Sequence, residues 1–166
     1  TCAIFIAFFF VGLATFKDYG IGIDDKFHRL NGFFWLNYIL EFTNLISLNE
    51  IVNLKLQSIT GFTLPSIQEF NFYSILFDVP AAALEVFLNI NDSQQFYFLR
   101  HYLNFFYFFI GSIFFFKILN KRFDYFSSIV GTLFFILTPR IYGDSFYNMK
   151  DVIFLTFLCI SIFYCF

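Results

Sequence analysis

Charge is scarce in this sequence: only 13% of residues are Asp, Glu, Lys or Arg, the net charge is −2, and no run of one sign occurs. A nucleic-acid groove or a polybasic lipid clamp needs clustered cations, so nucleic acid is excluded as an expected partner. Cysteine is sparse too. Cys2, Cys159 and Cys165 all lie in apolar runs without a CxxC or Cys/His spacing. That pattern excludes a disulfide framework or a cysteine metal site, and leaves the three as expected buried hydrophobes. Internal repeats, Ser/Gly linkers and low-complexity segments other than the Phe bias are also missing. No initiating Met, signal n-region or cleavage site precedes the first apolar run, and the last residues lie inside another. The expectation is a piece of a longer chain, inactive by itself.

What is abundant is apolar. Hydrophobic residues make up 59% of the chain, phenylalanine alone supplies 32, and the mean hydropathy is +0.72. These values lie outside the usual range of soluble domains, so the expected class is an all-α polytopic membrane protein with lipids as its surroundings. Enrichment in Phe, Ile, Asn and Lys, where Leu, Ala and Arg are usual, reads as AT-biased coding rather than function.

Four apolar stretches stand out as spans, at residues 1–16, 102–119, 126–138 and 152–166. The first and last are shorter than the roughly 20 residues that cross about 30 Å of hydrocarbon, and read as incomplete. Between the first two lies a loop, residues 17–92, with charges every few positions. Within it Phe27, Leu30, Phe34, Tyr38 and Phe42 recur at helical spacing, as do Ile51 and Leu54 and, more weakly, the apolar residues from Ile67 to Leu76. Amphipathic helices along a membrane surface fit that pattern. In Asp78-Val79-Pro80 followed by Ala81-Ala82-Ala83, proline sits where a first helical turn tolerates it, so a short helix is expected to start there. Asp92 and Ser93 are expected to cap the helix that carries the second span, and Asn120-Lys121-Arg122 to connect it to the third. Ser127, Ser128, Gly131 and Thr132 suit close helix packing. The third span ends at Pro139, a polar loop covers residues 139–150, and Asp151 can cap the fourth.

Lys117, Lys121 and Arg122 against the single acid Asp124 place the short turn between spans two and three on the cytoplasmic side. By alternation, loops 17–92 and 139–150 both face the periplasmic, extracellular or lumenal side. Their polar residues can therefore serve one site.

Three constellations could carry chemistry. In Asp18-Tyr19-Gly20-Ile21-Gly22-Ile23-Asp24-Asp25-Lys26-Phe27-His28-Arg29, two glycines precede adjacent carboxylates that open a helix, where its dipole favours them. Either Asp24 is a plain N-cap with a solvated rim around it, or the acids act on a substrate. Pro139-Arg140-Ile141-Tyr142-Gly143-Asp144-Ser145-Phe146-Tyr147-Asn148-Met149-Lys150-Asp151 gathers cations, acids, tyrosines and an asparagine in one short segment. Arg140 and Lys150 suit a phosphate, or they snorkel at helix ends. Arg100-His101, with Asn104 one turn on, puts ionisable groups near an apolar stretch, which marks either function or headgroup contact. His28 and His101 share no metal-ligand spacing. The aromatic clusters Phe105–Phe109 and Phe114–Phe116 read as packing or lipid contact.

In order of features, namely span, carboxylate pair, surface helices, Arg-His, span, basic turn, span and PRIYGDSFYNMKD, the chain resembles the GT-C membrane glycosyltransferases. The similarity is closest to dolichyl-phosphate-mannose-protein mannosyltransferase-like proteins and their bacterial relatives, and it covers nearly all of residues 1–166 as the N-terminal part of such an enzyme. It implies a GT-C-like transmembrane domain and inverting transfer of a sugar from a polyprenyl-phosphate donor to an acceptor hydroxyl. It implies Asp24 and Asp25 as the catalytic acids, with Asp25 departing from the commoner Glu. Arg140, Lys150, Arg100 and His101 become donor-phosphate contacts, and Asp144, Asn148 and Tyr142 substrate contacts. A divalent cation shared by Asp24 and Asp144 is a secondary expectation. No nucleotide-binding Gly-rich loop occurs, which agrees with a lipid-linked donor. The rival classes are a multi-spanning transporter or flippase, for which no mid-span charge speaks, and a non-catalytic subunit of a glycosylation complex.

Overall fold

The computed structural model describes residues 2–22, 24–43, 45–60 and 75–166, so the amphipathic stretch expected from Ile67 lies almost wholly outside the described residues. Among the described residues there are eight helices and no strand: α1 (Cys2–Thr15), α2 (Asp25–Phe42), α3 (Ile46–Thr60), α4 (Ile75–Phe87), α5 (Ser93–Arg122), α6 (Tyr125–Leu137), α7 (Pro139–Tyr147) and α8 (Asp151–Cys165). The chain is all-α. It divides into two compact bodies, Ile23–Leu99 and the combination of Thr1–Gly22 with Arg100–Phe166.

In the body Ile23–Leu99, α2 packs against α3 and α4. Its core joins Phe33, Leu36 and Leu40 of α2 with Val52 and Leu56 of α3 and Ala82 of α4. The face of α2 that packs inward differs from the apolar stripe that the spacing picks out. Tyr38 and Phe42 are exposed, while Asp25, His28, Asn31, Gly32, Phe33, Leu36, Asn37 and Leu40 face inward. Ile51 and Leu54 of α3 are exposed as well. The helical period is as expected, and the inner seam of this body is partly polar.

Helix α4 starts at Ile75, so Pro80 lies inside it rather than in its first turn. Proline there cannot donate to the carbonyl one turn back. Burial of Phe77, Asp78, Ala81, Ala82 and Glu85 along one face offsets that loss. The helix ends in a Schellman arrangement: the N–H of Ile90 donates to the Glu85 carbonyl (3.1 Å) and that of Asn89 to Val86 (3.0 Å), with Asn89 at φ 50°. Asparagine is among the few residues that take this left-handed conformation readily.

The second body is built by α1, most of α5, and α6 to α8. Phe8, Phe105, Phe108, Ile136, Phe146 and Val152 form its core. Gly12 faces the Phe105 ring, where any Cβ would collide with it, so only glycine lets these helices meet. The Phe105–Phe109 cluster thus serves interhelical packing, although Phe106 is exposed. Cys159 is buried as expected, whereas Cys2 and Cys165 lie on outward surfaces near helix ends.

The second apolar stretch extends well beyond residues 102–119: α5 is 30 residues long and is the one described helix long and apolar enough to cross a membrane unaided. Its start is capped as expected, with the Gln95 N–H donating to Asp92 (3.3 Å). It runs through Asn120-Lys121-Arg122, leaving only Phe123 and Asp124 as the connection. Asp124 is the N-cap of α6, accepting from the Ser127 N–H (3.0 Å) and hydroxyl (2.6 Å). Those bonds hold its carboxyl below the usual range. Ser127 is therefore spent on capping at the surface, while Ser128 and Thr132 turn inward as close-packing residues. Lys117 and Lys121 lie over the Phe163 ring, and Lys121 also donates to the Phe163 carbonyl (2.9 Å). A cation at the last turn of α8 complements its dipole. α1 and α8 are shorter apolar helices, and α6 with α7 forms a pair bent by 59°.

Candidate functional site

The segment expected as the polar loop 139–150 is mostly helix. Thr138 is extended, Pro139 opens α7 at the position where its missing N–H costs nothing, and the helix runs to Tyr147. The turn into α8 is closed reciprocally. Asn148 Oδ1 accepts from the Asp151 N–H (3.1 Å), and Asn148 Nδ2 donates to Asp151 Oδ2 (2.9 Å). Asn148 thus satisfies the N–H of Asp151, the first residue of α8, and Asp151 holds the Asn148 side chain in return.

The helical form of this segment aligns Tyr142, Ser145 and Phe146 toward the core. The Phe146 ring is wholly buried between Tyr19 (centroids 4.2 Å, 15° between planes) and Phe105 (5.2 Å, 4°). The Tyr142 hydroxyl lies 2.8 Å from that of Thr15. On α5, Arg100, His101 and Asn104 are all buried beside this segment. Arg100 Nη1 faces Met149 Sδ at 3.9 Å, His101 Nδ1 lies 3.2 Å from the Phe16 carbonyl, and Asn104 Nδ2 donates to the Asp144 carbonyl (3.2 Å). Asn104 Oδ1 is buried without a hydrogen-bond partner among the described residues, so it can accept one bond from a ligand. Of the expected phosphate and substrate contacts, Arg100, His101, Tyr142, Asp144 and Asn148 are thus gathered in one body, with Arg140 and Lys150 at its surface.

Electrostatics mark the same region. A hydrogen bond to Asp144, partial burial and the Asp144 charge push the Tyr147 phenol up, against the opposing charge of Arg140. Burial raises Tyr19, with Tyr142, Asp18 and Tyr147 adding to the effect. Both tyrosines stay protonated donors at neutral pH.

Asp24 and Asp25 belong to the other body. Asp24 is the N-cap residue of α2 and exposed, and its side chain makes no cap hydrogen bond. Asp25 is 1% exposed. One turn along the same face, His28 Nδ1 lies 3.0 Å from Asp78 Oδ2, and Asn31 Nδ2 donates to the same oxygen (2.6 Å). Gly32 makes this approach feasible, because a Cβ there would collide with the Asp78 backbone carbonyl. Further along the seam Arg29 grips Glu85 with Nε (3.1 and 3.2 Å) and Nη2 (2.6 Å) while stacking at 3.8 Å over Phe96. Lys55 approaches Glu85 at 3.9 Å and donates to the Ile90 carbonyl. Burial pushes Lys55 below the ordinary lysine range; Glu85 partly restores it and Arg29 opposes.

Asp78, Glu85, Asn31 and Lys55 were not among the expected site residues. The available signal was Asp78, Ala81, Ala82 and Glu85 at helical spacing, two acids and two small residues on one face of an otherwise apolar helix. Among the described residues no group of three His, Cys, Asp or Glu could hold a metal ion. No protein-family model, curated protein or solved structure matches the chain.

Proposed function

We propose that this chain belongs to a polytopic membrane glycosyltransferase similar to the GT-C enzymes that use lipid-linked sugars. In this reading α1, α5, α6 and α8 traverse the membrane, and the loops 17–92 and 139–150, the latter including α7, face the periplasmic, extracellular or lumenal side. The observation that carries the proposal is the burial of Arg100 and His101, 1% exposed each, at the polar end of the long apolar helix α5 and beside the α7 segment. Ionisable side chains buried in such a place are costly and mark a functional site.

The reaction is a single displacement. Asp24 takes the proton of an acceptor hydroxyl, the acceptor oxygen bonds to the anomeric carbon, and the bond from that carbon to the phosphate oxygen breaks. The polyprenyl phosphate leaves with the electron pair and the anomeric centre inverts. Arg100, with Arg140 and Lys150, stabilises the departing phosphate. Asp25 is the second acid of the catalytic pair, His101 joins the donor-phosphate contacts, Tyr142, Asp144 and Asn148 contact the substrate, and a divalent cation remains a secondary element of the reading.

Membranes from cells expressing the protein, given a polyprenyl-phosphate sugar labelled in the sugar, test the proposal. Label should leave the lipid fraction with wild-type protein and stay there with Asp24→Asn expressed to the same level. Equal transfer by the two proteins contradicts the role of Asp24. Movement of intact lipid-linked label across the bilayer without transfer favours a flippase.

A further inference from the structure

Helix α4 is built inside out. Its two charged residues, Asp78 and Glu85, are 1% and 0% exposed, and Ala81 and Ala82 between them are equally buried. The opposite face presents Leu76, Pro80, Ala83, Leu84 and Phe87, with Leu76 55% and Phe87 83% exposed and no charged or hydrogen-bonding side chain. A water-facing helix of a soluble domain carries the reverse pattern, with charge outside and an apolar stripe within. A contiguous apolar face of this kind marks an interaction surface.

We infer that this face of α4 docks onto a lipid bilayer, its outward side chains set among the acyl chains at the headgroup boundary. The inference rests on the membrane reading above and goes beyond it, since the sequence placed this stretch outside the hydrocarbon. Three observations select lipid as the occupant. The helix has 13 residues, about 20 Å long, too short to cross a membrane and suited to lying along one. Its exposed end, Phe87 and Leu88, is joined through residues 88–92 to α5, the helix able to cross a membrane, so chain continuity keeps α4 near the interface. The inward charges already have partners in His28, Asn31, Arg29 and Lys55, so no polar side chain of α4 is turned toward the apolar face.

The test is site-directed spin labelling of the whole chain in phosphatidylcholine vesicles, with the three native cysteines replaced by alanine. Single labels go at Leu84→Cys and Phe87→Cys on the outward face, Lys26→Cys on the exposed start of α2, and Phe106→Cys on α5. Collision with oxygen, which concentrates in lipid, is compared with collision with a water-soluble nickel chelate. Leu84 and Phe87 should be several-fold more accessible to oxygen than to nickel, like Phe106 and unlike Lys26. Nickel dominance at both α4 sites, or exclusion of both probes as expected where protein covers the face, overturns the inference while Phe106 remains oxygen-dominated. Nickel dominance at Phe106 overturns the membrane reading itself.

Discussion

Gly32→Ala isolates the contact on which the polar seam of α2 and α4 depends. The new Cβ would collide with the Asp78 carbonyl, a backbone atom that moves only if the helix moves. Alanine by itself favours a helix interior by roughly 1 kcal/mol over glycine. Overpacking of this kind costs about 1–3 kcal/mol. Separating the helices also weakens the bonds from His28 and Asn31 to Asp78, buried and charge-assisted, at about 1.5–3 kcal/mol each. The net expectation is a destabilisation of about 3 kcal/mol, confined to the body Ile23–Leu99. Gly143→Ala in α7 is the control: nothing lies within 4 Å of its added Cβ, so helix propensity alone should stabilise by about 0.5–1 kcal/mol. Hydrogen exchange in detergent, followed by mass spectrometry, reads both. Faster exchange throughout α2 and α4 in Gly32→Ala, with α7 slowed in Gly143→Ala, is expected. Unchanged protection of α2 and α4 in Gly32→Ala would refute the close-approach argument.

Glu85→Ala should destabilise by about 3–5 kcal/mol in a thermal melt, since it leaves Arg29 and Lys55 in a buried seam without their carboxylate; an unchanged melting temperature would contradict the seam. Because Lys55 is lowered, the folded form releases its proton before the unfolded form does. Stability should then rise with pH from the folded value up to the ordinary lysine value of about 10.4, and that rise should vanish in Lys55→Met. Asp124 is lowered, so its contribution is present above the unfolded carboxylate range and is lost as pH falls through the folded value; Asp124→Ala should speed exchange at the start of α6 and remove that acid dependence. Phe146→Ala should cost about 3–5 kcal/mol by opening the space between Tyr19 and Phe105, which detergent melts would register as early unfolding.

Helix content and position followed from the sequence wherever period and capping agreed. Asp92 at the start of α5 and the 3.6-residue spacing in α2 are cases of that kind. Facing did not follow, and α2 shows why: the period locates a stripe, but which stripe is buried depends on whether the surroundings are water or lipid. In α2 the apolar residues Tyr38 and Phe42 lie outside while Asp25, His28 and Asn31 lie inside. Pro80 misled in a related way, because proline at a helix start and proline inside a helix stabilised by burial read alike locally. The α7 segment was recognised from its density of polar residues, yet its helical form rests on Tyr142 and Phe146 packing against Tyr19 and Phe105, contacts over a hundred positions apart for Tyr19. The Arg100-His101 pair was visible because ionisable groups are rare in apolar stretches. Asp78 and Glu85 went unseen because each acid alone looks like a solvated loop residue.

Mass spectrometry of polyprenyl-phosphate sugars and surface glycans tests the central claim most directly, in cells carrying the full-length protein or its Asp24→Asn variant at equal expression. The variant should accumulate one lipid-linked sugar and lose one glycan. Unchanged donor and glycan pools, in cells where the wild-type protein is shown to be required, would contradict it.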